Sequence, residues 1–223
     1  MATGKIEIGA TAQPAPAALR AALREIVTSH LSDNLGRLTG IGGLTRYHRS
    51  ARLVGTAFTV KTPPGDNLAI YKALPQLLPG HVLVVDAGGD TTNAVVGELI
   101  MLYAAMRGCA GFVIDGAIRD AGAFGAADFP CHARARGHRG PYKHGPARLN
   151  VPVAIGGEVV QPGDVIVGDE DGLVVFPERA AEQLIAAARR TAAAEQAIRE
   201  EIANGRVEQS WIIGALEAHG SCD

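Results

Sequence analysis

The sequence is poor in aromatic side chains and in cysteine. Aromatic residues make up 4% of its 223 positions, so the core must be built mainly from Val, Leu, Ile and Ala. The cysteines are Cys109, Cys131 and Cys222, an odd number without a CxxC pair. Disulfide frameworks and zinc-thiolate sites are therefore not expected, and a reducing cytoplasm is the predicted location.

A charge excess and a long apolar run are also missing. The formal net charge is −2, which gives no electrostatic basis for nucleic-acid binding. The stretch "MATGKIEIGATAQPAPAAL" lacks the apolar centre of a signal peptide, and no window approaches the ~20 apolar residues of a membrane span. We therefore expect a cytosolic protein that binds neither nucleic acid nor membrane.

The spacing of apolar residues and glycines predicts an α/β fold. "GHVLVVDAGGD" predicts a buried strand ending in a glycine loop, "GELIMLYAAMRG" a helix between Gly97 and Gly108, and "GFVIDG" a second buried strand that ends in an Asp-Gly turn. A strand, loop, helix and strand in this order form a parallel βαβ unit. Upstream, "RLVGTAFTVKTPPGDN" predicts a strand and a loop, and Asn67 is a candidate cap for a helix through Leu77.

The two ends of the chain have different patterns. Near the N-terminus, Leu19, Leu23, Ile26 and Leu31 share one face of a predicted helix. From about residue 130, "NVPVAIGGEVVQPGDVIVGDEDGLVVFP" predicts a β meander, and a long helix follows between Pro177 and Gly205. No internal repeat is present, so residues 1–223 are expected to form one domain with a β-rich second half and a C-terminal helical tail.

The first candidate site is the turn before the Gly97 helix. The free N–H groups of the first helical turn and the helix dipole favour a carboxylate or phosphate there. These groups belong to Gly97, Glu98, Leu99 and Ile100. The alternative is an ordinary helix start with Glu98 as a first-turn acid, since neither a phosphate-loop nor a GxGxxG pattern is present.

The second candidate is the pair Arg119 and Asp120, just beyond the predicted strand "GFVIDG". Arginine offers a planar fork for a carboxylate, and aspartate offers a hard oxygen ligand for Mg²⁺ or Mn²⁺. Adjacent side chains on a helix point in different directions, so the two charges are expected to diverge. The alternative is a solvated ion pair on a loop.

Two further features are weaker. "HARARGHRGPYKHGPARLN" is interpreted as an exposed basic loop that contacts substrate or a neighbouring subunit, because zinc spacing and aromatic platforms for nucleic acid are lacking. Its basic side chains include His132, Arg134, Arg136, His138, Arg139, Lys143 and His144. Asp66 and Asn67 after "TPPG" are interpreted as a helix cap.

Nucleophilic catalysis has little support. No serine lies in a GxSxG elbow, and Cys109 and Cys131 are interpreted as small core residues. None of Lys5, Lys61, Lys72 and Lys143 lies in an obviously apolar pocket that would suit a Schiff base.

Three segments resemble a known family. "PPGDNLAIYKAL", "VVGELIMLYAAMRGCAGFVIDGAIRD" and "NVPVAIGGEVVQPGDVIVGDEDGLVVFP" are similar to the ribonuclease activity regulator A (RraA) family, over about residues 20–200. That family includes class II pyruvate aldolases, which cleave 4-hydroxy-4-methyl-2-oxoglutarate and 4-carboxy-4-hydroxy-2-oxoadipate. The resemblance implies an α-β-β sandwich of the swivelling-domain type, a homotrimer or homohexamer, and a divalent cation, Mg²⁺ or Mn²⁺.

The resemblance also implies roles for individual residues. Gly97, Glu98, Leu99 and Ile100 match the substrate cradle, Arg119 the substrate-binding arginine and Asp120 the metal-anchoring aspartate. The family signature is an acid, then an Arg-Asp pair, then a second acid shortly after it. Glu98 fills the first position, whereas Ala123 stands in place of the last acid.

A glutamate from a neighbouring subunit completes some family sites, and Glu195 is the candidate here. The chemistry implied is retro-aldol cleavage of a small 2-oxo acid, with the cation as Lewis acid and oxaloacetate decarboxylation as a side activity. The alternative is a non-catalytic member that binds and inhibits a ribonuclease, which the missing acid at Ala123 keeps open.

Overall fold

The computed structural model of the chain describes residues 5–218, so Cys222 lies outside the described residues. The strands are β1 Ile6–Ile8, β2 Thr45–Arg46, β3 Leu53–Lys61, β4 His81–Val96, β5 Gly111–Ile118, β6 Cys131–Arg136, β7 Ala147–Leu149, β8 Val153–Ile155, β9 Glu158–Val160, β10 Val165–Gly168 and β11 Leu173–Phe176. The α-helices are α1 Ala17–Arg24, α2 Thr28–Asp33, α3 Leu68–Ala73, α4 Glu98–Met106, α5 Ala121–Ala127, α6 Ala181–Ala203 and α7 Ser210–Ala218.

The main sheet is mixed and has nine strands in the order β1-β7-β3-β4-β5-β6-β2, with β10 and β11 attached at β3. Strands β3 to β6 are mutually parallel, and the parallel pair β4 and β5 is joined by α4, which confirms the predicted βαβ unit. The α/β class and the C-terminal helical tail are confirmed.

The sheet separates two parts of the core, which explains the α-β-β layering. One face packs on helices α3, α4 and α5, through buried residues such as Ile70, Met101 and Phe124. The other face packs on the separate β8–β9 hairpin through Val153 and Val160. A third cluster holds α1, α2 and α6 together, and the predicted apolar set of Leu19, Leu23, Ile26 and Leu31 contributes to it.

The prediction that β4 ends in a glycine loop after Asp86 is wrong. Strand β4 continues through it to Val96, with irregular pairing to β5 between Asp86 and Val96. Gly88 and Gly89 have φ angles of 66° and 72°, so this part of β4 is bulged rather than absent. The predicted Asp115-Gly116 turn is likewise part of β5, which runs on to Ile118.

The helical predictions hold with changes at their ends. The N-terminal helix is split into α1 and α2. Helix α3 ends at Ala73, before the predicted end at Leu77, and a 3-10 turn over Leu74–Gln76 that contains Pro75 follows it. Asn67 does not cap α3 with its side chain, because its Nδ2 donates to the Val95 carbonyl at 3.1 Å. The Asp66 carboxylate accepts the Leu68 N–H instead, at 2.9 Å.

The β-rich half contains the hairpins β8–β9 and β10–β11, as the meander prediction requires. The basic segment is only partly a loop, because its first residues belong to strand β6 and His132 is buried there. After Pro177, a 3-10 turn over Glu178–Ala180 leads into α6, and Gly205 with φ 71° follows the helix end, as predicted.

A row of charged residues crosses the sheet at one register. The register pairs Glu7 with Arg148, Arg148 with Lys61, Lys61 with Asp86, and Asp86 with Asp115 on neighbouring strands. Ion pairs join Arg148 to Glu7 at 2.8 Å and Lys61 to Asp86 at 2.6 Å, and Arg134 pairs with Asp115. Asp86 and Asp115 are buried, so each needs its cation to offset the loss of hydration. This pairing explains why a buried strand carries the aspartate of "VIDG".

Candidate active site

The turn between β4 and α4 leaves no space for a side chain at Gly97. Its φ of −155° is ordinary extended backbone, so backbone conformation does not require glycine. A Cβ at this position would lie 2.6 Å from Asp120 Oδ2 and 2.9 Å from Arg119 Cγ. A larger residue at this position would therefore displace the side chains of Arg119 and Asp120 from the start of α4.

Asp120 directs its carboxylate back to this helix start. The residue precedes α5 and adopts the left-handed conformation, with φ 56° and ψ 36°. Its Oδ2 accepts the Glu98 N–H at 3.1 Å, where the dipole of α4 favours negative charge. The first N–H group of α4, that of Glu98, is thus bound within the chain. The N–H groups of Leu99 and Ile100 have no acceptor inside the helix, because the first intrahelical hydrogen bond is donated by the Met101 N–H to the Gly97 carbonyl.

Arg119 and Asp120 do not diverge as predicted. Arg119 Nε lies 3.6 Å from Asp120 Oδ2, and each side chain is 46% exposed. The prediction is wrong because it treated the two residues as neighbours on a helix, whereas Asp120 stands before α5 in a left-handed conformation. The pair is nevertheless close to Gly97 and open to solvent, so both side chains remain accessible to a ligand.

A cavity of about 220 Å³ lies beside this turn. Gly97, Leu99, Ile100 and Arg119, four of the predicted substrate-binding residues, are part of its lining. A second cavity of about 370 Å³ is lined by Arg119 and Asp120 together with Ala121, Arg136, Gly137 and His138. Arg119 therefore borders both cavities, while Asp120 belongs to the second.

The basic loop forms part of the wall of the first cavity, through Gly140, Pro141 and Lys143. Residues 137–146 are anchored by main-chain hydrogen bonds, including Ala94 N–H to the Arg139 carbonyl at 2.9 Å and Asn67 N–H to the Tyr142 carbonyl at 3.0 Å. Lys143 lines the cavity, and its Nζ lies 5.5 Å from the ring centre of Tyr71, a cation–π distance. Arg119 and Lys143 thus give the cavity two cationic side chains.

Sequence reasoning did not identify Asn67, Tyr71 and Lys143 as a group. The structure places all three in the cavity lining. Asn67 and Tyr71 are four residues apart around the start of α3, a spacing that puts two side chains on one helix face. Lys143 comes from a loop far along the chain, and no local pattern indicates that it meets them.

Three other predicted residues are placed differently. Glu98 is exposed and lines neither of these two cavities. Ala123 lies in α5 and packs partly buried against the core. Glu195 has partners in its own chain, since its Oε2 lies 3.0 Å from His30 Nε2 and 3.3 Å from an Arg199 nitrogen. Its place in a neighbouring subunit's site stays a prediction.

The cysteine interpretation is confirmed for Cys109 and Cys131. Both are buried in the main core cluster, and burial raises the pKa of the Cys109 thiol to about 11 and raises that of Cys131 further. Neither thiol is a nucleophile near neutral pH. Lys61 forms an ion pair with Asp86 at 2.6 Å.

The residues around Asp120 fit only a loosely held cation. Within residues 5–218, no three side chains of His, Cys, Asp or Glu come together in a way that would enclose a metal ion. Mg²⁺ commonly keeps several waters and binds through one or two carboxylates plus oxygens of the substrate. The half-exposed carboxylate of Asp120 lies next to Gly97, where a Cβ atom would collide with it. A single accessible carboxylate fits this mode of Mg²⁺ binding and does not fit a four-ligand zinc site.

Comparisons with known proteins identify the family. The RraA-like (Aldolase/RraA) family model matches residues 28–175. A protein of Halalkalibacterium halodurans, provisionally named a 4-hydroxy-4-methyl-2-oxoglutarate aldolase, is 40% identical over 175 residues, which are 78% of this chain and 83% of that protein. The chain therefore belongs to the RraA-like family, as its sequence resemblance predicted.

Solved structures agree with this assignment. An uncharacterized protein from Pseudomonas syringae pv. tomato superposes with a TM-score of 0.78 at 30% identity, covering 87% of this chain and 92% of that one. The RNA-processing inhibitor RraA from Thermus thermophilis superposes with a TM-score of 0.63 at 30% identity, covering 68% of this chain and 92% of that one. Within residues 5–218, no helix combines the length and apolar character needed to cross a membrane.

Proposed function

We propose that this protein is a divalent-metal-dependent class II pyruvate aldolase. Its substrate would be 4-hydroxy-4-methyl-2-oxoglutarate or 4-carboxy-4-hydroxy-2-oxoadipate, cleaved to pyruvate and a second oxo acid. The observation that carries the proposal is the convergence of Arg119, the start of α4 and Asp120 around Gly97, beside a cavity of about 220 Å³. The aldolase name of a 40% identical relative supports the reaction class.

In this proposal, the substrate carboxylate binds at the helix start. Leu99, Ile100 and Arg119 belong to the cavity lining. In this proposal, the main-chain N–H groups of Leu99 and Ile100 and the guanidinium of Arg119 together hold the carboxylate in one orientation. Cleavage of the C3–C4 bond leaves negative charge on the keto oxygen of the pyruvate fragment. Arg119, fixed next to the turn, can stabilise that charge as it develops.

Asp120 would hold the cation, Mg²⁺ or Mn²⁺. When bound, the cation supplies Lewis-acid polarisation of the 2-oxo group. To serve as a ligand, Asp120 must keep its carboxylate near the Gly97 turn, and the hydrogen bond from Glu98 N–H to Oδ2 provides that restraint. The 3.6 Å contact with Arg119 holds the guanidinium close to the same place.

Aldol cleavage also requires removal of the proton from the C4 hydroxyl group. Ala123 occupies the position of a family acid, so a water near Glu98 or an acid of a neighbouring copy must take this role. Oxaloacetate decarboxylation needs no hydroxyl deprotonation.

We therefore expect oxaloacetate decarboxylation to be the less impaired of the two reactions. Ala123→Asp should raise aldol cleavage about tenfold or more relative to decarboxylation. Pyruvate release from each substrate, measured on both proteins, gives the ratio.

The decisive experiment compares pyruvate release with Mg²⁺ and after chelation. Asp120→Asn keeps an oxygen for the Glu98 N–H but removes the charge, and we expect roughly a 100-fold loss of turnover. Mn²⁺ binding, followed by its effect on water proton relaxation, should weaken in the same variant. Asp33→Asn is the control, since Asp33 pairs with Arg37 on the surface at 2.9 Å. Chelator-insensitive turnover, or wild-type activity in Asp120→Asn, would disprove the metal assignment.

The second candidate function is inhibition of a ribonuclease. It is favoured by the structural likeness to the Thermus thermophilis RNA-processing inhibitor and by the alanine at position 123. If it is correct, a ribonuclease should co-purify with the protein, and Asp120→Asn should not affect the interaction. If the protein releases no pyruvate from oxaloacetate or from either proposed aldol substrate and still binds a ribonuclease, ribonuclease inhibition replaces the aldolase proposal.

A further inference from the structure

Asp66 is a buried carboxylate that the proposed mechanism does not use. It is 3% exposed, and its oxygens accept main-chain N–H groups from two segments. Oδ1 accepts the Leu68 N–H at 2.9 Å, at the start of α3. Oδ2 accepts the N–H groups of His144 and Gly145, which lie 78 and 79 residues further along the chain. Burying a carboxylate is costly unless it is hydrogen-bonded, so Asp66 ties the loop around residue 144 firmly to the start of α3.

Main-chain hydrogen bonds hold the same part of the loop. The Tyr142 N–H donates to the Gly65 carbonyl at 2.8 Å, and the Asn67 N–H donates to the Tyr142 carbonyl at 3.0 Å. Successive side chains of an extended segment point to opposite sides. Tyr142 and His144 stack on each other with ring centres 5.8 Å apart, and Lys143 between them lines the cavity of about 220 Å³. Hydrogen bonds on both sides of Lys143 therefore fix its backbone and direct its side chain into the cavity.

The ammonium group of Lys143 has no anionic partner in the described chain. Its Nζ lies 5.5 Å from the ring centre of Tyr71, and none of the residues that line the cavity is acidic. Within residues 5–218, Lys143 forms no ion pair, in contrast to Lys61, which pairs with Asp86. A cation that borders a cavity without an acid beside it is available to an anionic group of a ligand.

The loop also brings Lys143 near the other cation of the cavity. A Cβ on Gly140 would lie 3.4 Å from Arg119 Nη1, so the loop passes directly over the guanidinium. Gly140 and Lys143 are three residues apart, and their Cα atoms are therefore separated by at most ~11 Å. One small ligand with two anionic groups can thus meet both Arg119 and Lys143.

We propose that Lys143 binds the second carboxylate of a 2-oxo diacid and that Asp66 positions Lys143 for this contact. The inference rests on the proposed function, in which Arg119 and the start of α4 hold the first carboxylate. Lys143 contacts the ligand directly, whereas Asp66 acts through the loop. The protein should accordingly prefer a 2-oxo diacid to a 2-oxo monoacid of equal length, and this preference should require both residues.

Equilibrium binding of two unreactive acids tests the role of Lys143. 2-Oxoglutarate and 2-oxopentanoate have the same chain length, and 2-oxoglutarate alone has the second carboxylate. In calorimetry with Mg²⁺ present, the wild type should bind 2-oxoglutarate roughly tenfold more tightly, as expected of a hydrogen bond between charged groups. Lys143→Met keeps the length of the side chain and removes the charge, so it should abolish this preference. An unchanged affinity ratio in Lys143→Met would overturn the proposal.

Lys72→Met is the matched control for this substitution. Lys72 follows Tyr71 in the sequence but does not line the cavity. Loss of a positive charge at position 72 should therefore leave the ratio of the two affinities at its wild-type value. An equal loss in Lys72→Met and Lys143→Met would show that the preference comes from the general charge of the surface and not from Lys143.

The same ratio separates a positioning role of Asp66 from a general structural one. Asp66→Asn should lower the ratio at least about fivefold, because the amide cannot hold all three N–H groups. A variant that is merely less stable binds both acids less well and keeps the ratio. In the Lys143→Met background, Asp66→Asn should change the ratio no further, since its effect passes through Lys143. A wild-type ratio in Asp66→Asn, or losses that add in the double variant, would contradict the positioning role.

Asp128→Asn is the matched control for Asp66→Asn. Asp128 likewise accepts main-chain N–H groups from a distant segment, those of Ser50 at 2.9 Å and Ala51 at 3.2 Å. It lines neither cavity of the candidate site, so the affinity ratio should stay at the wild-type value. Should Asp66→Asn fail to fold, Asp66→Glu, which keeps the charge and moves the carboxylate by one methylene, takes its place, and an unchanged ratio there contradicts the proposal.

Trypsin tests the anchoring of the loop without any ligand. The His144 N–H, which belongs to the peptide bond after Lys143, is bound to Asp66. Asp66→Asn should therefore raise the rate of cleavage after Lys143 about tenfold, because the loop opens more often. Asp128→Asn should not raise it. Mass spectrometry of the fragments gives the site, and equal cleavage after Lys143 in Asp66→Asn and wild type would show that Asp66 does not hold the loop.

Because these measurements need no turnover, they separate the two proposals. A protein that shows the expected affinity ratios and releases no pyruvate would reject the aldolase proposal alone. An active aldolase whose affinity ratio is unchanged in Lys143→Met would reject the role of Lys143 and Asp66 alone.

Discussion

At the level of single residues, Gly97 determines the geometry of the candidate site. Its missing side chain allows the Arg119-Asp120 segment to lie against the first turn of α4. The backbone there is extended, so another residue could adopt it without conformational strain. The role of the glycine is therefore to permit contact, and a substitution should affect the site more than the fold.

Gly97→Ala should reduce pyruvate release at least tenfold with little change in thermal stability. The added Cβ would lie 2.6 Å from Asp120 Oδ2, so the carboxylate must move away from the Glu98 N–H. A misplacement of about 1 Å in an active site can lower the rate about 100-fold. Gly122→Ala is the control, since a Cβ there meets no atom within 4 Å. Equal activity of Gly97→Ala and wild type would show that the contact is not needed.

At the level of elements, the edge formed by β2 and β6 contains a buried histidine pair. The rings of His48 and His132 lie 5.1 Å apart, and both residues are at least nine-tenths buried. Within the described residues, neither nitrogen of His132 has a hydrogen-bond partner. Burial, aided by the nearby His48, lowers the pKa of His132 to about 4. Burial also lowers the pKa of His48.

This pair should make the protein sensitive to mild acid. In the unfolded chain a histidine takes up a proton near pH 6.5, whereas folded His132 does not until about pH 4. Stability from His132 is therefore complete above pH 6.5 and is lost as the pH falls from 6.5 towards 4. The free energy of unfolding, measured with urea, should be about 2 kcal/mol lower at pH 5 than at pH 7 because of His132. His132→Gln should show a smaller difference; an unchanged difference would contradict this origin.

At the level of the whole molecule, the question is whether one chain contains a complete site. Glu195 is the candidate acid from a neighbouring copy, yet its carboxylate contacts His30 and Arg199 in its own chain. These contacts leave two roles possible: an acid for the neighbouring site, or a local link between α2 and α6.

Mixing inactive chains separates these roles. If Glu195 serves a neighbour, Arg119→Ala and Glu195→Gln chains should each be inactive alone, and an equal mixture should recover roughly a quarter of the sites by random pairing. His30→Ala, which removes the in-chain partner of Glu195, should leave activity nearly unchanged. If His30→Ala is as damaging as Glu195→Gln and the mixture stays inactive, Glu195 acts within its own chain. Pyruvate release is the measurement in each case.

The local chemistry of the sequence determined the elements and the approximate position of the site. Apolar runs of Val, Leu and Ile set β3, β4 and β5, and glycines at both ends bounded α4, because these signals lie between near neighbours. The same signals place Gly97, Leu99 and Ile100 at the start of a helix and Arg119 just after a strand.

Tertiary structure decided the contacts that turn these residues into a site. It fixed the left-handed Asp120 against α4, the continuation of β4 through Gly88 and Gly89, and the approach of Lys143 to Tyr71. It also paired Asp115 with Arg134 and buried His132 in a segment that its composition indicated as a basic loop. Each of these outcomes depends on packing and charge pairing between residues distant in the chain, which local periodicity does not contain.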